Sequence, residues 1–261
     1  LTEAGYIKRQ PVDSYSAQRR GGRGIKGLTT KEEDVIRHMF VCSSHDTVMF
    51  FTNLGRVYKL RCFEVPEGSR TAKGLNIVNL LPLQPEEQVT AMIRTEDQTE
   101  GLNLCMVTRR GIIKRTRLDA YANVRKGGLI AVDLDEGDEL VSVLITDGEQ
   151  QLLLATRSGM AIRFRESDVR LVGRTARGVR AISLGEEDTV VGVVLVDDAD
   201  RLLTVTETGY GRLSQFNEYR IQSRGGKGII NYHTERYGAV VGIAAVEEQE
   251  DLILISSSGI M

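Results

Sequence analysis

The chain has 261 residues, with 34 Lys and Arg against 36 Asp and Glu, so its formal net charge is −2. Hydrophobic residues make up 41% of it, which is enough for a packed core and excludes a disordered segment. No run approaches the roughly 18 apolar residues that a membrane-spanning helix needs, so we expect no membrane partner. As a total, the near-neutral charge also argues against nucleic acid, but the placement of the charges reverses that inference. Because the chain starts at Leu1 without a methionine and ends just after an apolar run, we expect a C-terminal fragment of a longer protein.

The cysteines are few and irregularly spaced. Cys42, Cys62 and Cys105 form an odd set without a C-x-x-C pair, which argues against a disulfide framework and against a zinc site. A reducing cytosol is the expected compartment.

One pattern recurs along the whole chain: an apolar run, Thr or Ser, two further residues, and Gly. Its marker glycines are 48 to 56 residues apart and are Gly5, Gly55, Gly111, Gly159, Gly209 and Gly259. In the copies with Gly55, Gly111, Gly159 and Gly209, a basic residue follows the glycine within four positions, at Arg56, Lys114, Arg163 and Arg212. The regular interval predicts a protein built of repeated units.

Each unit is predicted to contain four strands. In the first complete unit these are residues 48–52, 56–60, 75–80 and 89–93, and the third recurs at residues 179–184. No stretch of 12 or more residues has the apolar spacing of an amphipathic helix, so helix should be minor. Four strands in about 50 residues are typical of a propeller blade, although WD and kelch signatures are absent. The sequence therefore predicts an all-β, propeller-like disc, with the last repeat incomplete, as one domain over residues 1–261.

A basic, glycine-rich stretch, which we call a box loop, recurs between the second and third strands. The five box loops are residues 18–24, 69–74, 124–128, 173–178 and 223–228. With their flanks they contain 13 basic residues and no acidic one: Arg19, Arg20, Arg23, Lys26, Arg70, Lys73, Arg125, Lys126, Arg174, Arg177, Arg180, Arg224 and Lys227. Acidic runs follow about ten residues later, in all but the fifth unit, at residues 32–34, 86–87, 135–139 and 186–188.

Equivalent positions of a repeat fall at one place on every blade. The box loops should therefore form a basic stripe, with the acids concentrated elsewhere. Such a stripe, whose glycines would allow close approach of a backbone, is typical of a protein that binds a polyphosphate. The simpler alternative is that these are solvated loop charges, but five acid-free copies favour binding.

Competing motifs are weaker. Residues 22–27 match G-x-G-x-x-G, but a polar rather than an apolar segment precedes them, so no dinucleotide cofactor is expected. His38, His45 and His233 are scattered, so we expect no metal ligands. Residues 43–46 combine Ser, His and Asp side by side, but a catalytic triad is assembled by the fold and not by adjacency. Tyr6, Tyr58 and Tyr210 follow turn glycines and are more simply strand packing, so no catalytic residue is predicted.

Residues 18–24, Gln18-Arg19-Arg20-Gly21-Gly22-Arg23-Gly24, resemble the seven-residue box of the C-terminal DNA-wrapping domains of the A-type protein of DNA gyrase. The resemblance extends over the whole chain, through the repeats, the Thr-x-x-Gly turns and the residues 79–83. It implies a six-bladed β-pinwheel whose blades exchange strands and whose basic rim wraps double-stranded DNA without sequence preference. The box loop residues listed above, with Gln18, Gly21, Gly22 and Gly24, are the DNA-binding residues that it implies.

The resemblance also implies a parent enzyme, a bacterial ATP-dependent type II topoisomerase that introduces negative supercoils. In it this domain would be non-catalytic, would hold no cofactor, and would join the rest of the gyrase A protein, together with the gyrase B protein, in an A2B2 assembly. ATP and Mg²⁺ would bind elsewhere in that assembly, in the cytoplasm at the nucleoid, and the isolated domain would be monomeric. Two alternatives remain: the C-terminal domain of the topoisomerase IV A-type subunit, whose disc usually lacks an intact box, and a propeller-type protein-interaction module that uses its acidic loops.

Overall fold

The computed structural model describes residues 1–12, 34–69, 71–96 and 99–247, and these form five antiparallel sheets. Three of the sheets have four strands, one has three and one has two. The strands, in chain order, are β1 (Tyr6–Ile7), β2 (Thr47–Thr52), β3 (Arg56–Arg61), β4 (Leu75–Asn76), β5 (Val89–Thr95), β6 (Asn103–Thr108), β7 (Ile112–Arg117), β8 (Leu129–Ile130), β9 (Leu140–Thr146), β10 (Gln151–Thr156), β11 (Met160–Arg165), β12 (Val179–Arg180), β13 (Val190–Leu195), β14 (Arg201–Thr206), β15 (Gly211–Gln215), β16 (Ile229–Ile230) and β17 (Val240–Val246).

The recurring Thr-x-x-Gly pattern forms the turn of a hairpin in each unit. Between β2 and β3, the Gly55 N–H donates to the carbonyl of Thr52, and the Thr52 Oγ1 accepts from the Arg56 N–H at 3.3 Å. Gly55 has φ +71°, in the left-handed region that side chains disfavour. The same sign of φ occurs at Gly5, Gly111, Gly159 and Gly209, so the predicted glycine-dependent turn is confirmed in every described copy.

The fourth strand of each four-stranded sheet comes from the following unit. In the sheet ordered β5-β2-β3-β8, the short strand β8 pairs with β3 through Arg56–Ile130 and Val57–Leu129. In the same way β12 pairs with β7, β16 with β11, and β4 with β1. The all-β, strand-exchanging pinwheel is therefore confirmed. The described residues form five sheets, so the six blades stay a prediction, as does the single domain over residues 1–261.

The predicted third strands are shorter than expected. Of residues 75–80 only Leu75–Asn76 are extended, because the Asn76 side chain accepts from the Val78 N–H and starts a 3₁₀ turn at Ile77–Asn79. Of residues 179–184, only Val179–Arg180 are in a strand. The predictions of six-residue strands were therefore wrong. Helix is minor, as predicted: in the described ranges the α-helix is α1 (Thr234–Tyr237), with short 3₁₀ turns elsewhere.

The apolar cores lie between neighbouring sheets. One core combines Met49 and Phe51 of β2 with Leu104 and Met106 of β6. The strands β5, β9, β13 and β17, each an edge strand of its sheet, contact one another in succession. They therefore form the inner edge of the described arc, and the exchanged short strands β8, β12 and β16 lie at the opposite, outer edge.

Candidate nucleic-acid interface

Each described box loop connects two neighbouring blades at the outer edge. It follows the 3₁₀ turn after the second strand of its own unit and ends in the short strand that pairs with the preceding unit. The sequence predicted that equivalent positions would line up, and these loops do occupy equivalent places at successive blade junctions. The first box loop, with Gln18, Arg19, Arg20, Gly21, Gly22, Arg23, Gly24 and Lys26, lies outside the described residues, as does Arg70.

In the described box loops, the last glycine is required by contact with protein. Gly74, Gly178 and Gly228 have φ values of +87°, +103° and +78°. A Cβ at Gly74 would lie 2.6 Å from the carbonyl oxygen of Ile7, and one at Gly178 would lie 2.5 Å from that of Ile113. The sequence interpretation assigned the box glycines to close approach of a polyphosphate. At these positions the close approach is to the preceding unit of this chain.

Four of the predicted DNA-binding side chains are exposed and without a partner in the described part of the chain. These are Arg125, Lys126, Arg180 and Lys227. Lys73 is also exposed, and its Nζ lies 3.6 Å from the centre of the Tyr6 ring, a cation–π contact that leaves the ammonium accessible. These cations can reach a polyanion at the outer edge.

Two other predicted residues bind protein carbonyls instead. Arg224 donates from Nε to the carbonyl of Asp168 at 2.9 Å and from Nη1 to the carbonyl of Arg180 at 3.0 Å. Arg174, at the equivalent place in its box loop, donates to the carbonyl of Ile130 at 3.4 Å. Both side chains are half-buried and connect one box loop to the end of the preceding one. They join successive loops into a continuous row.

The expected separation of acids from the box loops is wrong at one position. Arg177 pairs through two hydrogen bonds with Asp135, which belongs to the acidic run of the preceding unit. Hydrogen bonding to the guanidinium lowers the pKa of the Asp135 carboxyl. Strand exchange brings this acidic run beside the next box loop, a contact that the linear spacing of about ten residues does not reveal.

The acidic runs also have structural roles. Asp138 accepts hydrogen bonds from the backbone N–H groups of Arg110 and Glu139 at 3.0 and 2.8 Å, and the equivalent Asp188 accepts from those of Ser158 and Thr189. In the second unit Glu87, 6% exposed, accepts from the Thr52 hydroxyl at 2.7 Å and from the Tyr58 hydroxyl at 2.9 Å. One acid of each of these runs therefore stabilises a Thr-x-x-Gly hairpin.

Sequence reasoning did not assign the cations that lie beneath the loops. The Lys8 Nζ donates to the carbonyls of Ser69 and Ala72, both at 2.8 Å, in the second box loop. Lys114, only 1% exposed, donates to the carbonyl of Ala131 at 2.7 Å and to that of Arg174 in the fourth. Burial lowers the pKa of Lys114 to about 8, with a further lowering from Arg174 and an opposing effect from Asp133. The sequence signal that could have indicated these cations is the basic residue that recurs after the turn glycine.

Other candidate chemistry is weak in the described ranges. No group of three or more His, Cys, Asp and Glu there is placed to hold a metal ion. No helix in those ranges has the length and apolar character to span a membrane. Cys42 and Cys62 lie with their Sγ atoms 2.9 Å apart as hydrogen-bonded free thiols, a proximity that their spacing did not predict. Burial, and then the neighbouring Cys62, raises the pKa of Cys42 to about 12.

Comparison with known proteins identifies the repeats. The family model described as "DNA gyrase C-terminal domain, beta-propeller" matches residues 1–43, 46–96, 102–147, 150–197 and 200–247. The DNA gyrase A protein of Halalkalibacterium halodurans is 52% identical over 180 residues, which are 69% of this chain and 22% of that relative. The chain thus matches only about a fifth of the length of this relative.

Two solved structures share the fold. The structure of a DNA gyrase A C-terminal domain superposes with a TM-score of 0.82 at 28% identity, over 95% of this chain and 82% of the other. The C-terminal domain of a DNA topoisomerase IV superposes with a TM-score of 0.73 at 26% identity, over 95% of this chain and 76% of the other.

Proposed function

This chain belongs to the DNA gyrase C-terminal domain family, and from that premise we propose that it binds duplex DNA and bends it around its outer edge. The observation that carries the proposal is the row of box loops at successive blade junctions, in which Arg125, Lys126, Arg180 and Lys227 are exposed cations without protein partners in the described ranges. Regularly spaced cations on a curved edge can follow the phosphates of a bent duplex.

The number of cations is sufficient for bending. Bending about 40 base pairs through half a circle costs about 11 kcal/mol for a persistence length of about 150 base pairs. A hydrogen bond to a charged group contributes about 1.5–3 kcal/mol, so roughly four to seven good phosphate contacts offset the bend. Of the 13 basic residues of the box regions, Arg174, Arg177 and Arg224 bind protein groups, which leaves ten, five of them outside the described ranges. Bending is therefore a property of several loops together.

Binding should be independent of sequence. Phosphate contacts position a protein on DNA without specifying bases. Base-specific binding in the major groove usually needs a helix or a two-stranded ribbon that enters it. The α-helix in the described ranges is the four-residue α1, which is too short for that role.

For the parent protein we propose an ATP-dependent type II topoisomerase, DNA gyrase, in which this domain promotes negative supercoiling. The catalytic residues, ATP and Mg²⁺ would then belong to other parts of an A2B2 assembly with the gyrase B protein, in the bacterial cytoplasm at the nucleoid. This domain itself would be monomeric when isolated, and would use no catalytic residue and no cofactor. The name of the relative from Halalkalibacterium halodurans, a DNA gyrase A protein, supports this proposal.

The observations favour this function over the alternatives. The intact box at residues 18–24 favours gyrase over topoisomerase IV. A protein-interaction module would need its acidic runs free for a partner, but Glu87, Asp138 and Asp188 are used in hairpin hydrogen bonds of this chain.

Titration of the chain with several unrelated duplexes at a series of salt concentrations tests the proposal. With about ten phosphate contacts, log K should fall with log[salt] at a slope near −9, because each contact contributes about −0.9. The slope should be the same for every sequence, and replacing both Lys126 and Lys227 by Ala should make it shallower by about 1.8. A wild-type slope shallower than about −3 would contradict the DNA-bending proposal and favour a protein-interaction module.

A further inference from the structure

Carbonyl groups of the box loops are bound from beneath by donors of the preceding unit. The carbonyls of Ser69 and Ala72 accept hydrogen bonds from the Lys8 ammonium. The carbonyl of Gly127 accepts from the Arg56 guanidinium at 2.5 Å, and that of Arg174 accepts from the Lys114 ammonium. In the fifth box loop the carbonyl of Gly226 accepts from the backbone N–H of Ser183 at 2.8 Å. All four described box loops therefore have at least one carbonyl turned towards the protein.

Lys8 and Lys114 occupy the same place in the repeat. Each is the third residue after its turn glycine, Gly5 or Gly111; Lys8 directly follows β1 and Lys114 lies in β7. In both cases the last glycine of the bound loop crosses that strand closely: Gly74 faces the carbonyl of Ile7, and Gly178 faces that of Ile113. The loop backbone thus passes directly over the lysine side chain, and the ammonium group fills the space beneath it.

The orientation of these carbonyls matters for a polyanionic ligand. A carbonyl oxygen has partial negative charge, so a loop that exposed it would repel phosphate, whereas backbone N–H groups and cationic side chains attract phosphate. An ammonium that binds a carbonyl on the inner side keeps that oxygen turned away from an approaching phosphate. The cost of arranging the loop is then met in folding and does not reduce the affinity for DNA.

We propose that Lys8 and Lys114 are positioning residues for DNA binding, which hold the second and fourth box loops in their binding conformation without contacting phosphate. This inference rests on the proposed function, because it takes DNA as the ligand of the loops. Lys227, which is exposed and without a partner in the described ranges, is the matched phosphate-contacting residue.

The test compares Lys114→Met with Lys227→Met, since both remove one charge and keep an unbranched side chain that is one atom shorter. For Lys114→Met we expect DNA affinity to fall about tenfold with an unchanged salt slope, because a charge-assisted hydrogen bond is lost but no phosphate contact. For Lys227→Met the slope should become shallower by about 0.9. A Lys114→Met protein that is folded and binds DNA as the wild type does, or whose slope shifts like that of Lys227→Met, would overturn the inference.

A second measurement needs no DNA and so separates this inference from the proposed function. Trypsin cleaves after Arg174 and Arg177 in the fourth box loop, and release of that loop in Lys114→Met should accelerate cleavage there several-fold relative to wild type and Lys227→Met. Equal cleavage rates would overturn the loop-holding role whatever the ligand. If Lys114→Met does not fold, Lys8→Met provides the same comparison for the second box loop, because Lys8 is only half-buried.

Discussion

The carboxylate of Asp135 binds the guanidinium of Arg177, 42 residues further along the chain, through two hydrogen bonds. Arg177 belongs to the fourth box loop, and Asp135 to the acidic run after the third. Both side chains are partly exposed, so the pair adds little stability, but it places an anion where a phosphate would bind. If the chain binds DNA as proposed, Asp135 competes with phosphate for Arg177.

Replacing Asp135 by Asn should increase the affinity for duplex DNA. Arg177 would become free to bind phosphate, so the slope of log K against log[salt] should become steeper by up to about 0.9. Glu149→Gln is the matched control, because it removes one charge from an exposed side chain without a partner in the described ranges. Fluorescence anisotropy titrations at several salt concentrations measure both variants, and equal gains in the two would mean that only the net charge matters.

The sequence predicted the local turns of this fold but not this ion pair. The period of the Thr-x-x-Gly pattern predicted the hairpins and the all-β class, because the turn at Gly55 is determined by residues four apart. The contact of Arg177 with Asp135 depends on which blade receives the strand that follows a box loop. That is a long-range property, and it was available only through resemblance to a family.

The sequence also did not predict which single charged residues are buried. Glu87 and Lys114 have the same sequence context as exposed loop and strand charges, yet they are 6% and 1% exposed. Their burial depends on hydrogen-bond partners in other strands and loops, such as the Tyr58 hydroxyl and the Arg174 carbonyl. Recurrence of a charge at one repeat position indicated a role but did not distinguish a contact with ligand from a contact with protein.

Replacing Gly178 by Ala should destabilise the fold by roughly 3 kcal/mol or more. The backbone at this position has φ +103°, which side chains disfavour, and a Cβ there would lie 2.5 Å from a carbonyl oxygen. Gly173, in the same box loop, has nothing within 4 Å of its Cβ position, so Gly173→Ala should change stability by less than about 1 kcal/mol. Urea unfolding measures both. If Gly173→Ala reduced the free energy of DNA binding by more than it reduced the free energy of unfolding, close approach of phosphate at this box glycine would be supported.

Glu187→Gly should stabilise the protein by about 0.5–1 kcal/mol. Glu187 has φ +60°, a strained conformation for a side chain, and the equivalent position in the preceding unit is Gly137, with φ +72°. Glu186→Gly removes the same charge from the adjacent residue, where no such strain exists, and should cost up to about 1 kcal/mol. The midpoint temperature of thermal unfolding should rise in Glu187→Gly and fall in Glu186→Gly. A shift in the same direction in both variants would contradict the strain argument.

Stability should depend on pH through Lys114. Burial lowers its pKa from 10.5 to about 8, so between these values the unfolded chain binds more protons at this position than the folded chain. The free energy of unfolding should therefore rise with pH from about 8 to 10.5, by about 2–3 kcal/mol relative to Lys114→Met, in which this group is absent. The comparison is between urea unfolding curves of both proteins at pH 7.5 and 10. Parallel changes in the two proteins would show that Lys114 does not titrate with a lowered pKa.

The first box loop, which lies outside the described residues, should decide whether DNA is fully bent. Each described box loop delivers its short strand to the preceding blade, so in a closed ring the first box loop would lie at the seam between the last blade and the first. Replacing Arg19, Arg20 and Arg23 by Ala should leave the fold intact, because polar residues flanked by glycines in a loop contribute little to a core. Much of the binding should remain, since seven of the ten box-region cations not seen to bind protein groups are kept.

What the triple variant should lose is the completed bend. Three charge-assisted contacts contribute roughly 4–9 kcal/mol, against about 11 kcal/mol for the bend, so the partly bent state should become the more stable one. Energy transfer between dyes at the two DNA ends measures their distance, which should increase in this complex. Replacing Arg125, Lys126 and Lys227 by Ala removes the same charge from other loops and should retain more of the bend. Equal bending by wild type and the first-box variant would contradict the prediction, and equal loss in both variants would mean that the first box acts as one more basic loop.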